Sequence, residues 1–370
     1  GPVRHRTRGD PFSDGGDVSI PAVQPPVASF PPFTLRQLDY LVAAAEAGTI
    51  VGAAERMHVS PSTMSDAITQ LERLLHTRLC VRRKAEGLTL TSAGEQVVAD
   101  ARVLLRGAQE LYASLVSSTD QLSGPVSIGC FPTLGPTVLP PLLTAFADSH
   151  PRLHVEVIEA SQDRLAELLA SGRVDVAFVY DVQLPRSVRR ERLFTLPPHV
   201  LLPAGHRLAA MPHVRLEDLA DEDFIMLDSP PSRSHALSIF DARGLTPRIR
   251  HRTGNPDVVR TLVGRGLGYG MLVQRHMDPG AVRGFPVVMK EIWPPVPPLS
   301  IDVVWPAEYE PTQRTKAVIE FARGVEWPRV ELGGSPVPPP PRVLPIPDDV
   351  RTGSSFDNQL KGQRDDADHD

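Results

Sequence analysis

The chain has 370 residues, 41% hydrophobic and 22% charged, which suffices for two to three domains with packed cores. A net charge of −5 excludes a histone-like polycation but leaves room for a local nucleic-acid-binding face. Two widely separated cysteines, Cys80 and Cys130, offer no disulfide framework, and no apolar run reaches the ~18 residues of a membrane span, so no membrane partner and a cytoplasmic, reducing compartment are expected.

Residues 1–32 show no helical or strand period and no apolar h-region of a signal peptide, and read as a disordered tail. Residues 328–370, with the proline run Pro338 to Pro341 and an acidic end, read as a second one. Between the tails three styles follow one another. Residues 33–91 read as short helices with a hairpin, 92–122 as one long helix, and 125–325 as strands alternating with amphipathic helices.

Leu35, Leu38, Leu41 and Val42 fall on one helical face, and Gly48 ends that helix. A second helix, about Ile50 to Met57, carries Ala53 and Ala54, small enough for another helix to cross closely. His58-Val59 makes the turn, and Ser60 as N-cap with Pro61 at the first helical position opens a third helix. Met64, Ala67, Ile68, Leu71, Leu74 and Leu75 form its buried face, which leaves Ser62, Thr63, Ser65, Asp66, Thr69 and Gln70 outside. This is a helix-turn-helix, whose third helix can enter the major groove. Arg78 to Lys84 and Leu88 to Thr91 form a hairpin, a wing that brings Arg82, Arg83 and Lys84 near phosphates. The formal charge over 33–95 is balanced, so the wing cations count only in combination with the helices.

From Val97 the apolar positions Val97, Ala101, Leu104, Ala108, Leu111 and Leu115 alternate four and three apart. Such a helix can pack on its own domain, but a narrow seam between two domains favours a two-chain coiled coil.

In the third region strands are expected at Val126 to Phe131, His154 to Glu159 and Val174 to Val179. Open α/β sheets hold ligands beyond the carboxyl ends of their strands, next to helix N-termini. Candidate effector-binding residues are therefore Cys130, Thr133 and Leu134 after the first strand, Ser161 after the second, and Tyr180 and Asp181 after the third. Ser232, Asn255 and Gly268 are added from a second subdomain. The free amides of the helix near Thr133 would suit a small anion, with Pro132 and Pro136 each removing one donor.

The text "LRQLDYLVAAAEAGTIVGAAERMHVSPSTMSDAITQLERLL" followed by "TRLCVRRKAEGLTLTSAG" resembles the N-terminal domain of LysR-type transcriptional regulators. Carried over position by position, the resemblance assigns DNA contacts to Ser60, Pro61, Ser62, Thr63, Ser65, Asp66 and Thr69, with Arg82 and Arg83 in the wing. Asp66 stands where that family often has a basic or neutral residue, and it can accept from a cytosine amino group. Cys80 stands where phenylalanine is usual.

Over roughly 126–325 the order of elements is similar to the family's periplasmic-binding-protein-like effector domain. The implied fold class is α/β overall: a winged helix-turn-helix, a linker helix, and a two-subdomain α/β effector domain. The chain would cross to the second subdomain near Pro203 to His206 and return near Ile301 to Trp305. The resemblance further implies double-stranded DNA and a small organic acid as ligands, a dimer or tetramer, contact with RNA polymerase, and a place at the nucleoid.

Gly264, Gly266, Gly268 and Gly270 lie between an apparent helix and a following strand, the reverse of a dinucleotide loop. The twelve histidines are not read as a zinc site, and no cofactor is expected. Cys130 reads as a core residue rather than a redox sensor. A solute-binding protein on the same fold should carry a secretion signal, and an enzyme should show a catalytic constellation; neither is legible.

Overall fold

The structure is a computed structural model that describes residues 31–83, 87–116, 122–275, 286–327 and 342–343. Three helices open the chain: α1 (Leu35–Ala47), α2 (Ile50–Arg56) and α3 (Pro61–Leu74). Thr34 and Gln37 close a reciprocal capping box on α1, and Gly48 ends it at φ 68°. Thr49 caps α2 and Ser60 caps α3, with Pro61 at the position where a missing N–H costs nothing. Ala53 and Ala54 are fully buried, and Leu38, Leu41, Met64, Ile68 and Leu71 fill the core around them. Leu35, grouped on one face with Leu38, Leu41 and Val42, is half exposed at the first position of α1.

The strands β1 (Cys80–Arg83) and β2 (Gly87–Leu90) pair antiparallel with Arg83 opposite Gly87, so the wing exists; Lys84 at its tip lies outside the described residues. Glu72 of α3 accepts from the amides of Leu79 (2.8 Å) and Cys80 (3.1 Å), which fixes where the wing leaves the helices. At Gly94 a Cβ would sit 1.9 Å from the Leu79 carbonyl oxygen, so only glycine lets the next helix pass there.

That helix, α4 (Ser92–Val116), covers the expected linker up to Val116; 117–121 lie outside the described residues. Val98 and Ala101 pack into the helix-turn-helix core, whereas Leu104, Leu111 and Tyr112 are exposed. Arg102 donates to the Ser171 carbonyl (2.8 Å), Arg106 donates to the Gly172 carbonyl (2.6 Å) and pairs with Asp175 (3.1 Å), and the Tyr309 hydroxyl donates to Asp100 (3.1 Å).

The remainder forms two α/β subdomains. The first contains β3 (Gly124–Cys130), α5 (Gly135–Ser149), β4 (Leu153–Glu159), α6 (Gln162–Ala170), β5 (Val176–Tyr180) and β6 (Val188–Leu196). The chain then enters the second through β7 (His199–Pro203), β8 (His213–Val214), β9 (Asp223–Leu227), α7 (Ser232–Asp241), β10 (Arg248–Thr253), α8 (Pro256–Gly264), β11 (Tyr269–Leu272) and β12 (Val287–Ile292). It returns through β13 (Leu299–Pro306) and α9 (Gln313–Gly324). The first sheet has the order β4-β3-β5-β13-β6, with β3 parallel to β4 and β5; the second has the order β10-β9-β11-β7-β12-β8.

The crossings differ from the expected positions. Pro203 already ends β7 in the second sheet, and Ile301 to Trp305 lie inside β13 of the first. The chain crosses at Pro197-Pro198 and again over 293–298, where Pro294, Pro295, Pro297 and Pro298 cannot donate to a ladder.

The C-terminal tail also departs from expectation in part. Trp327 is buried, stacks on Phe194 at 5.3 Å and donates to the Ala322 carbonyl. Beyond it β15 (Arg342–Val343) pairs antiparallel with β14 (Val325–Glu326), so at least that piece of 328–370 is held by ladder bonds. The other residues of both tails lie outside the described residues, except Pro31 and Pro32.

Candidate DNA interface and effector cleft

The N-terminus of α3 is exposed and held by hydroxyls. Ser60 Oγ accepts from the Thr63 amide (3.1 Å) and bonds the hydroxyls of Ser62 (2.8 Å) and Thr63 (2.7 Å). Pro61, Ser62, Thr63 and Asp66 face water, while Ser65 and Thr69 are half-buried and the Thr69 hydroxyl donates back to the Ser65 carbonyl (2.8 Å). Five of the seven candidate positions are thus exposed around the start of this helix, with Ser65 and Thr69 half-buried beside them, and Arg82 and Arg83 follow on a strand anchored to it through Glu72.

The second site is a cavity of about 860 Å3 between the two subdomains. Thr133, Tyr180, Ser232 and Asn255 line it, as the strand-end rule anticipates. The Thr133 and Tyr180 hydroxyls bond each other at 2.8 Å, and burial pushes the Tyr180 hydroxyl up to about 12, so it stays protonated.

Five other candidates are not in its wall. Cys130 and Leu134 are fully buried in the first subdomain: the period-two alternation Val126, Ile128, Cys130 aims the cysteine at the core, and Leu134 packs into the same core from the N-cap of α5. Burial also drives the Cys130 thiol well above its ordinary range. Ser161 is the N-cap of α6, where its hydroxyl bond holds the Asp163 carboxyl below its usual value. Asp181 is bonded to Arg190 outside the cleft. Gly268 sits at φ +143°, with the Asp223 carbonyl oxygen 2.3 Å from where a Cβ would be; it serves a close backbone passage.

The cavity's principal polar groups escaped the sequence reading. Arg260 on α8 is 5% exposed; it donates to Asp257 (3.1 Å) and to the Gln274 carbonyl (3.0 Å), and burial lowers its pKa. Thr137 of the first subdomain donates to the Gln274 side-chain oxygen of the second (3.2 Å). Arg260 shares the inward face of α8 with Val259 and Val263, and a cation on such a face was a legible signal. Gln274 follows directly on the carboxyl end of the buried strand β11, which the strand-end rule also covers.

The anion site expected at α5 is not open. The amides of Leu134, Gly135 and Thr137 already donate to Phe131, Pro132 and Leu134, and Pro136 has none. The Glu159 carboxylate lies 2.7 Å from where a Cβ on Gly135 would be, so a negative charge already sits at that helix end.

One His-x-x-x-His spacing exists, His150 and His154, but it spans the turn into β4 rather than a helical face; the described residues contain no group of three His, Cys, Asp or Glu able to hold a metal. No described helix is long and apolar enough to cross a membrane.

Comparison with known proteins decides the family. Residues 35–95 match the bacterial regulatory helix-turn-helix of the lysR family, and 119–326 match the LysR substrate binding domain. The chain belongs to the LysR family. It is 39% identical over 254 residues to the regulator EstR of Acinetobacter baylyi, an alignment covering 66% of this chain and 82% of that protein. It is 31% identical over 239 residues to a hydrogen peroxide-inducible genes activator of Pectobacterium carotovorum, covering 64% and 79%. Among solved structures it is similar to HinK, a LysR family regulator from Pseudomonas aeruginosa, at 33% identity and a TM-score of 0.53, covering 79% of this chain and 98% of that one. As a LysR-family transcriptional regulator, the protein joins a DNA-binding helix-turn-helix to an effector-binding domain.

Proposed function

We propose that this regulator reads DNA with Ser60, Pro61, Ser62, Thr63, Ser65, Asp66 and Thr69 of α3, sets its register on phosphates with Arg82 and Arg83, and takes its effector in the interdomain cleft. The observation that carries this reading is one chain with an outward hydroxyl-rich helix N-terminus and a cavity between two subdomains. The working units are 33–91 for DNA, 92–122 for pairing of chains and 125–325 for the effector, with Leu104 and Leu111 of α4 offering an apolar seam to a second copy. The protein acts in the cytoplasm at the nucleoid, as a dimer or tetramer that touches RNA polymerase, and it is not an enzyme.

The similarity to peroxide-inducible activators raises a thiol switch as the second reading. That chemistry asks for an accessible thiolate. Cys80 and Cys130 are both buried, and burial moves the Cys130 thiol away from ionisation.

Selection of genomic fragments on the purified protein, followed by footprinting, tests the main reading. A partly symmetric site is expected, with base preference altered by Thr63→Ala or Ser65→Ala. Unchanged preference in both variants would move the reading element off α3.

A further inference from the structure

A hydrogen bond crosses the cleft between side chains: the Thr137 hydroxyl, in the first turn of α5, donates to Gln274 Oε1 of the second subdomain at 3.2 Å. Both ends are well placed. Gln274 follows the carboxyl end of β11, with its backbone carbonyl held by Arg260 at 3.0 Å. The Gln274 side chain is 7% exposed, and its Nε2 is buried with no acceptor in bonding range among the described residues. The Tyr180 hydroxyl, which Thr133 engages at 2.8 Å, is near Nε2 but outside that range.

An amide so placed has opposed preferences while the cleft is empty. Keeping Oε1 on Thr137 holds the N–H groups away from water with nothing to receive them, and a buried unmet donor costs more than an ordinary hydrogen bond returns. Turning Nε2 toward solvent relieves that cost but withdraws Oε1 from Thr137. A ligand oxygen on Nε2 removes the conflict. The N–H is met, Oε1 stays on Thr137, and each bond polarises the other through the amide.

The surrounding wall indicates what such a ligand brings. Arg275, next in sequence and 7% exposed, lines the same cavity, and so does Ser232 at the start of α7. The second subdomain therefore offers donors, charged and uncharged, which suit an acceptor oxygen. Pro132, Pro136 and Pro140 on one side and Leu227, Met271 and Leu272 on the other seat an apolar body, for which about 860 Å3 is ample.

We infer that Gln274 couples the effector to the two halves of the cleft: its Nε2 donates to an acceptor oxygen of a ligand with an apolar body, and its Oε1 thereby holds Thr137 more firmly. This deepens the cleft reading above and rests on it. By reciprocity, Thr137 raises the affinity for that oxygen by the same factor as the oxygen strengthens the Thr137 bond.

The test is a double-mutant cycle on the full chain, read by calorimetry. The probes are a carboxylate, its methyl ester and a hydrocarbon of similar size, each on naphthyl and n-octyl bodies. An oxygen-bearing probe should bind at least about tenfold more tightly than its hydrocarbon, and the tighter twin shows whether the oxygen arrives as a carboxylate or a carbonyl. On that probe Gln274→Leu should weaken binding about tenfold and Thr137→Val about fivefold. Added to Gln274→Leu, Thr137→Val should cost nothing further, within about twofold. Thermal unfolding of each free variant checks that it is folded, with Gln274→Met in place of Gln274→Leu if that one is not. Losses that add, or Thr137→Val binding like the parent, overturn the coupling while the cleft keeps its role. So does a hydrocarbon that binds as tightly as its oxygen-bearing twins. If no probe binds, or none is displaced by Thr144→Trp, which fills the cavity from an exposed wall position, the cleft reading falls and the proposal falls with it.

Discussion

The DNA-facing helix and the effector cleft both present helix N-termini, and they treat them in opposite ways. At α3 the helix end faces water, wrapped in the hydroxyls of Ser60, Ser62 and Thr63, which can exchange each other for a phosphate or a base edge. At α5 the amides of Leu134, Gly135 and Thr137 and at α8 that of Asp257 bond their own chain, Pro136 and Pro256 have none, and Glu159 and Asp257 already supply negative charge. A helix N-terminus is therefore an anion site only when its amides are unspent, and the residues flanking it decide that.

The largest effect that would test this contrast is at Arg260. If its bonds are structural, Arg260→Met leaves the buried Gln274 carbonyl without its donor and should lower folding stability by about 2–3 kcal/mol in chemical denaturation. A variant of wild-type stability would mean that the guanidinium is held in reserve for a ligand.

On the other side of the contrast, Arg82→Ala with Arg83→Ala should leave stability within about 0.5 kcal/mol. DNA binding should weaken on all sequences alike, and the slope of log affinity against log salt should fall by about 2. An unchanged slope, measured by fluorescence anisotropy across salt, would remove the wing from the phosphate backbone.

His199 gives a smaller, pH-dependent effect. It is fully buried with both ring nitrogens unbonded among the described residues, and burial, then Arg275 and Arg260, hold its pKa well below the ordinary value. The unfolded chain takes up a proton near pH 6.5 that the folded chain refuses, so stability is full above that pH and declines below it, by at most ~1.4 kcal/mol per pH unit. His199→Phe should flatten this acid limb between pH 7.5 and 5.5; the same limb in that variant would assign it to other groups.

The smallest pair compares two caps. Ser60→Ala and Asn255→Ala should each cost about 1 kcal/mol of stability, but only the first should also weaken operator binding. Equal loss of binding in both would break the contrast drawn here.

What the sequence made legible follows the range of the forces involved. The helix-turn-helix could be read almost residue by residue, because Gly48, Ser60, Pro61 and the small pair Ala53-Ala54 act within a turn or two of themselves. Leu35 departs from its face-mates because it opens α1, where the period alone does not say how far the covering core extends. In the effector domain the first three strands were legible along the chain, and so were Thr133 and Tyr180 at the strand ends, whereas the crossings between the sheets were not. Cys130 was assigned to the cleft although β3's alternation aims it inward, a period outweighed by proximity to the strand end, and Leu134 caps α5 with its side chain in the core. The pairing of Thr137 with Gln274, 137 positions apart, has no local signature at all. The strand Arg342–Val343 was hidden for the same reason, since a proline-rich surrounding masks a partner that only the folded body supplies.

The grip of α4 on the first subdomain has a mechanical consequence. Arg102 and Arg106 reach the turn at Ser171 and Gly172, Arg106 also reaches Asp175, and Asp100 receives Tyr309, so the helix is bolted along two of its turns to a single half of the effector domain. That half and the linker share one frame. Were a ligand to draw the two halves together, the half free of the linker would be the one to move, the lobe built on β7 to β12, swinging like a rudder against a fixed keel. In a paired assembly, the signal that an effector has arrived would then be written in the position of that outer lobe, and a neighbouring copy that touches it would be the first to read it.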